Sequence, residues 1–276
     1  MAITNFLSTV WSENLLTALD ANYIGVANCN RDYDGEIKEK GSKVRICGVG
    51  NVIVSDYNKN ADIITQSLSD TSTDLYIDHA KYFNFQVDDI EKAQSSPKLM
   101  DAAIRVAANS LANVADQSVF NVAASSENNI NFNEPTPETI LDTIIEARKR
   151  LYYKNVNDST EVVLEVSPEV AAILLKAKVK LSNTDETLEN GCIGKIFGCK
   201  VFVSNNIYCA PDGDIVSYKC VMRTKRASAF AEQISDIYAY RPEKRFSDAV
   251  KGLHLYGVGI VYPDELLTLT YSIKYN

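Results

Sequence analysis

The run Leu75-Tyr76-Ile77-Asp78-His79-Ala80-Lys81-Tyr82-Phe83-Asn84-Phe85-Gln86-Val87 puts Leu75, Ile77, His79, Lys81, Phe83, Phe85 and Val87 on one set of alternate positions, with Asp78, Asn84 and Gln86 among the other. Side chains of a strand point alternately to its two faces, so this period of two predicts a strand whose second half buries one face. Downstream, residues 97–124 open on Pro97 and contain neither glycine nor a further proline. Leu99, Ala103, Val106, Ser110 and Val114 form one stripe there, with Ala107, Leu111 and Ser118 beside it. The spacing predicts a helix, and about 27 residues at roughly 1.5 Å each make a rod of about 40 Å. Its many alanines permit close approach to a sheet.

Upstream of this pair, residues 36–73 alternate charged residues with short β-type runs over 43–49 and 51–57, set apart by Gly48 and Gly50. The segment is poor in large apolar residues and cannot form a thick core of its own. Residues 11–21 carry Leu15, Leu16 and Leu19 at helical spacing, and the polar, turn-like residues 28–35 follow.

Downstream, Thr136-Pro137-Glu138 and Ser167-Pro168-Glu169 each supply an N-cap hydroxyl, a first-turn proline and a carboxylate near the positive end of a helix dipole. The first helix is expected to run to about Tyr153, with Ile140, Leu141, Ile144, Ile145 and Leu151 inward and Arg148, Lys149 and Arg150 suiting its carboxyl end. The second is expected to end near Lys178. Residues 161–166 form a strand between them, and a β-type run follows at 200–203. At the carboxyl end Leu267, Leu269, Tyr271, Ile273 and Tyr275 alternate with Thr268, Thr270, Ser272 and Lys274. Residues 253–262 precede them across Pro263-Asp264-Glu265, which predicts a terminal β-hairpin. No period of about 20–50 residues repeats, so solenoids and propellers are set aside.

The chain has 276 residues, 46% of them hydrophobic and 23% charged, so it is long and apolar enough to fold around a real core. Its 28 basic and 36 acidic side chains leave a net charge of -8, and no basic stripe interleaved with aromatics is present. A reader of nucleic-acid sequence is therefore not expected. No segment reaches about eighteen uninterrupted apolar residues and the first residues lack a basic stretch ahead of an apolar run, so neither membrane insertion nor secretion is expected. The cysteines at 29, 47, 192, 199, 209 and 220 are accordingly read as reduced thiols.

Motifs with chemistry were sought by mechanism. His79 and His254 are the only imidazoles, and neither stands in a triad-like or metal-binding spacing. Gly191-Cys192-Ile193-Gly194-Lys195-Ile196 has its glycines too close together for a phosphate loop, and Ile196 occupies the place of the magnesium-binding hydroxyl. Gly257-Val258-Gly259 lies inside a β run instead of at a strand-to-helix turn, so it makes no dinucleotide cradle. The four cysteines from Cys192 to Cys220 are spaced by seven, ten and eleven residues, whereas zinc ligands come in pairs about two to four apart. They read as small apolar thiols in strands, with a bond between Cys192 and Cys199 as the alternative in an oxidising setting. Asp88, Asp89 and Glu91 read as a solvated junction between strand and helix. No catalytic, cofactor-binding or metal-binding residue is assigned.

Several strings are distinctive together: Asn30-Arg31-Asp32-Tyr33-Asp34-Gly35-Glu36-Ile37-Lys38, then Gly41 with Val44-Arg45-Ile46, then Lys81-Tyr82-Phe83-Asn84-Phe85-Gln86-Val87-Asp88-Asp89-Ile90, Ala93-Gln94 and Leu99-Met100-Asp101-Ala102-Ala103. Over residues 10–125 the chain resembles the major capsid proteins of tailed bacteriophages with the Hong Kong 97-type fold, and the later elements are compatible in order. The resemblance implies an α+β protein in five parts. These are an N-terminal arm (1–35), an extended hairpin loop lying over a neighbouring subunit (36–74), a peripheral domain (75–129) with a spine helix at 97–124, an axial domain (130–234), and a return to the peripheral domain through the C-terminal hairpin (235–276).

What the resemblance implies about function is structural. Copies form hexamers and pentamers of an icosahedral head that encloses double-stranded DNA without sequence-specific binding. A separate scaffolding protein, a portal and decoration proteins are the further partners, and the location is the virion after assembly in the cytoplasm of a bacterial host. Some members of the family begin with a scaffolding segment that a protease removes; here Trp11 already lies in the arm helix, so either scaffolding is a separate protein or residues 1–10 are all that remains of such a segment. The candidate subunit-interface residues are Trp11, Tyr33, Tyr57 and Lys59, the last being the one position to nominate for a covalent cross-link. A negative inner surface would repel packaged phosphates over a Debye length of about 8 Å. The alternatives are an encapsulin-like bacterial compartment of the same fold and, third, an intracellular enzyme with a cysteine nucleophile.

Overall fold

The computed structural model describes residues 15–33, 41–49, 70–88, 99–133, 135–157, 160–177, 192–234, 238–243 and 247–274, with positions 56, 59 and 65. It is α+β, with strands gathered into a two-stranded ribbon, a four-stranded sheet and a seven-stranded sheet.

The ribbon pairs β1 (Lys43–Val49) with β2 (Asp70–Tyr76) antiparallel. The four-stranded sheet is centred on β12 (Ser247–Ile260), which pairs antiparallel with β3 (His79–Asp88) along one edge and with β10 (Ser228–Ile234) and β11 (Tyr238–Tyr240) along the other. The seven-stranded sheet has the order β4 (Asn129–Asn133), β13 (Leu266–Lys274), β9 (Ile215–Thr224), β5 (Val162–Val166), β7 (Cys199–Val203), β6 (Cys192–Ile196), and β8 (Cys209–Asp212) also pairs with β9. It is mixed, with β4 parallel to β13 and β5 parallel to β7.

The single strand expected over 75–87 is two strands. The break falls at Ile77-Asp78, where the fully buried Ile77 exchanges backbone hydrogen bonds with Gly41 and Ser42 (2.7 and 3.0 Å). The alternation is continuous through the break because the chain passes directly from the ribbon into the sheet beneath it. Val44, Ile46, Leu75 and Ile77 then pack on Ala229, Ala231 and Leu255 of that sheet. Gly257 makes this crossing feasible, since a Cβ there would lie 2.3 Å from the Tyr76 carbonyl oxygen. The Gly257-Val258-Gly259 run is thus a place of close backbone approach inside a strand.

After α1 (residues 15–22), the helix α2 (Leu99–Ala124) spans both sheets. Its first part packs Ile104, Ala108, Leu111 and Ala115 with Phe230, Val250 and Tyr256 of the four-stranded sheet. Its last turns pack Phe120 and Ala123 with Val221 and Leu266 of the seven-stranded sheet. The stripe through Val106 and Ser110 is not the buried face: Val106 is 64% exposed and Ser110 is exposed, whereas Ile104, Ala108, Ala112, Ala115 and Val119 are buried. Alanines occur on both sides, so apolar spacing alone marks the face weakly; the buried face is the one whose small side chains allow close approach. Ser110 and Ser118 satisfy their hydroxyls within the helix, each donating to a carbonyl four residues earlier (3.0 Å).

One face of the seven-stranded sheet is covered by α3 (Thr139–Tyr153) and α4 (Pro168–Lys176), which close a core of Ile140, Ile144, Leu151, Val170 and Leu174 over Leu164, Val201, Met222 and Leu269. Ser167 caps α4, accepting from the Val170 N–H at 3.3 Å, and Thr136 accepts from the Thr139 N–H at 3.2 Å ahead of α3. Ile145, expected inward, is exposed, and Arg148, expected at a solvated end, is buried and stacks over Tyr152 at 4.3 Å.

The C-terminal hairpin is also corrected. β12 and β13 belong to different sheets, because the 3-10 turn Pro263–Glu265 carries the chain from one to the other. A second 3-10 turn, Lys225–Ala227, carries it between β9 and β10, so Ser228–Ile234 lies in the four-stranded sheet and not with 130–227. The two crossings are locked together. Glu265 accepts from Thr224 Oγ1 (2.6 Å) and from the Arg226 guanidinium, and the N–H groups of Val261 and Tyr262 donate to the Ala227 carbonyl.

Candidate functional site

The segment over residues 23–31 is held from three directions. From α2, Asp116 accepts the backbone N–H groups of Ile24 (3.0 Å) and Val26 (2.9 Å). Gly25 fits there because a Cβ would lie 3.0 Å from the Phe120 ring. From the seven-stranded sheet, Arg223 of β9 donates to the Gly25 carbonyl (2.8 Å), approaches Cys29 Sγ at 3.0 Å, and makes two hydrogen bonds to Glu165 of β5. Asn28 also donates to Glu165 (3.0 Å). From the four-stranded sheet, Glu232 accepts from Tyr23 Oη (2.6 Å) and Arg31 (2.5 Å), and His254 Nε2 lies 2.8 Å from it. Asn30 completes the attachment by backbone bonds to Ser228 and Phe230 (2.8 and 2.9 Å).

The electrostatics follow from burial. Burial pushes the Asp116 carboxyl up to about 6 against the pull of its backbone N–H partners. Burial acts the same way on Glu232, but hydrogen bonds and charge from His254, with Tyr23 and Arg31, hold it below the usual carboxylate range. Burial and the neighbouring Glu232 carboxylate keep the Tyr23 phenol protonated. Arg223 stays a cation despite full burial because Glu165 and the Cys29 side chain compensate it. Such an arrangement orders the arm against the body. It offers no open nucleophile: burial raises the Cys29 thiol, and the same effect pushes Cys220 up to about 12.

No protein-family model matches the sequence, and no curated protein matches it. Solved structures do. A structure of Mycobacterium phage Che8 is 28% identical, covers 90% of this chain and 90% of its own, and superposes with a TM-score of 0.69. The capsid of Ralstonia phage GP4 is 10% identical over 94% of this chain and 91% of its own, with a TM-score of 0.68. In fold the chain is similar to tailed-phage capsid structures, the Hong Kong 97 type. A virus-like particle from Pyrococcus furiosus shares the fold more distantly, at 14% identity over 93% of this chain and 96% of its own, with a TM-score of 0.54.

For a chain with this fold, the residues to examine are those that fix its shape and those it exposes. Of the four candidate contacts, Trp11 and Tyr57 lie outside the described residues. Tyr33 packs against the ribbon base, and Lys59 is exposed. Cys199 is a free thiol, and its cross-strand partner in the β6–β7 pair is Ile196 while Cys192 faces Phe202, so the alternative bond between Cys192 and Cys199 is not made. His79 stacks on Tyr256 at 4.9 Å, and His254 is buried in the Glu232 cluster. Residues 192–196 of the glycine-containing run are a strand. Asp88 ends β3, and Asp89 and Glu91 lie outside the described residues. Among the described residues no group of three or more His, Cys, Asp or Glu side chains could hold a metal ion, and no helix is long and apolar enough to cross a membrane.

Arg223, Glu165, Asp116, Glu232 and Thr224 of the arm and crossing clusters were not singled out by sequence reasoning. Only Glu165 stands alone in an apolar strand run; Arg223 and Thr224 adjoin each other and further basic residues, and Asp116 and Glu232 each precede a glutamine, so these four bear no local mark of a buried, paired charge in the sequence.

Proposed function

We propose that copies of this chain form the hexamers and pentamers of an icosahedral phage head around double-stranded DNA. The observation that supports this most is the match with the Che8 phage structure across nine-tenths of both chains. The capsid reading is preferred to an encapsulin-like compartment because structures named as phage capsids, those of PhiM1 and GP4, superpose at TM-scores of 0.65 and 0.68. In this reading the four-stranded sheet with most of α2 is the peripheral domain, the seven-stranded sheet with α3 and α4 is the axial domain, and residues 15–33 with the β1–β2 ribbon are the arm and the base of the extended loop. Trp11, Tyr33, Tyr57 and Lys59 are the arm and loop residues that meet neighbouring copies. Scaffolding, portal and decoration proteins are its partners during assembly in the host cytoplasm, and its acidic balance keeps the shell from adhering to the genome.

The test is to purify particles from infected cells, treat them with nuclease and analyse protein and nucleic acid together. The reading predicts a protected genome-length duplex and this chain as the dominant protein. A protein cargo with no protected DNA would favour the compartment instead. Denaturing gels of the same particles address Lys59: a ladder of linked chains that collapses to a single monomer band in Lys59→Ala supports a cross-link there, and a single monomer band for the wild type excludes it.

A further inference from the structure

The seven-stranded sheet carries two exposed features at its opposite ends. At one end, α3 and the β6–β7 turn border a groove of about 520 Å³ lined by Ile145, Arg148, Lys149, Tyr152, Phe197 and Gly198. Phe197 and Gly198 both have positive φ (48° and 79°), the geometry of a tight two-residue hairpin loop, and the turn leaves the Phe197 ring exposed on the rim. The groove is apolar along its floor and positive at its edge. Lys149 stands on the rim and pairs with Glu146 (2.5 Å), while the buried Arg148 guanidinium lies over Tyr152 (4.3 Å), so the lining and its neighbour Glu146 together carry one cation more than carboxylate.

At the other end projects the β8–β9 hairpin. Residues 211–215 are all exposed, and the loop Asp212-Gly213-Asp214-Ile215 turns through Gly213 at φ 61°. Two carboxylates and the exposed Ile215 therefore share one small tip. Strand register puts tip and groove far apart. Val162 pairs with both Cys199 and Thr224, so the Phe197-Gly198 turn lies where β9 ends, whereas the tip lies where β9 begins. The nine steps from Ile215 to Thr224, at about 3.3 Å each, separate them by roughly 30 Å. The tip cannot reach the groove of its own chain, but complementary features at opposite ends are what a head-to-tail contact needs, and repeated head-to-tail contacts close rings.

We propose that the tip of one copy seats in the groove of the next, with Asp212 and Asp214 facing Lys149 on the rim, and Ile215 against Ile145, Tyr152 and Phe197. This rests on the capsid reading and names the surfaces that join neighbours within a ring. Charge complementarity identifies the occupant: the tip matches the groove in both sign and apolar content.

The test compares full-length wild type, Asp212→Lys/Asp214→Lys, and the same variant carrying Lys149→Glu, by sedimentation and negative-stain microscopy. Far-UV circular dichroism checks that these surface changes leave the chain folded. The expected result is an assembled fraction reduced at least about tenfold by the double reversal, and recovered to within about threefold when Lys149→Glu restores opposite charge. Wild-type levels of rings and shells from the double reversal would overturn the tip-and-groove contact and leave the capsid reading standing. A reduction that Lys149→Glu does not relieve would also count against this pairing. Absence of rings and shells from the wild type would overturn the capsid reading itself, and the contact with it.

Discussion

The Arg223 guanidinium closes on Glu165 through two hydrogen bonds of 2.9 Å, with both side chains fully excluded from solvent. Removing one partner strands the other charge in the core, a loss of about 3–5 kcal/mol for a buried pair. Glu165→Ala and Arg223→Ala are each expected to lower the unfolding free energy by that amount, read from denaturant unfolding curves. Because Arg223 also holds the Gly25 carbonyl, its loss should raise amide exchange over residues 24–30 more than the loss of Glu165 does. Equal exchange in the two variants would contradict a direct hold on the arm.

The arm junction makes stability depend on pH in two opposed ways. Asp116 sits at about 6 in the folded chain against an ordinary 3.8, so the folded state binds its proton more tightly and its ionisation costs stability as pH rises through that window. The size is on the order of 3 kcal/mol, from about 1.4 kcal/mol per tenfold change in proton affinity. Glu232 is held below its ordinary value, so its contribution is present above the usual carboxylate range and lost as pH falls through its folded value. Stability of the unassembled wild type is expected to rise from pH 7 to about pH 5. In Asp116→Asn that rise should flatten. Denaturant midpoints across this range read it directly, and an equal rise in the variant would remove Asp116 as the cause.

Gly257 is a second point of close approach. In Gly257→Ala the added Cβ meets the Tyr76 carbonyl at 2.3 Å, so the ribbon must lift from the sheet. Overpacking of this kind costs about 1–3 kcal/mol. Amide exchange should accelerate at the ribbon base, Lys43–Val49 and Asp70–Tyr76, and remain unchanged in the seven-stranded sheet. Uniform acceleration across the chain would instead indicate global destabilisation.

The elements were legible where local chemistry fixes them. The alanine-rich run without glycine or proline makes α2 and the polar residues 125–129 end it, and Ser167-Pro168 starts α4 as its capping chemistry requires. What escaped was pairing between distant residues. Alternation identifies Leu266–Lys274 as a strand but does not say that its neighbours are β9 and β4, so its partner across the Pro263–Glu265 turn was misassigned. The arm junction escaped for the same reason. Tyr23 and Glu232 stand 209 positions apart and Val26 and Asp116 stand 90 apart, and neither pair leaves a periodic mark. The exposed side of α2 was misread at Val106 because alanine serves both faces of that helix.

On the proposed function this chain makes a shell. Purified chain, with and without a scaffolding protein, should be examined by negative-stain microscopy across salt and pH. Closed shells are expected, or the rings and sheets of capsomers that precede them. A stable monomer under every one of those conditions would contradict it.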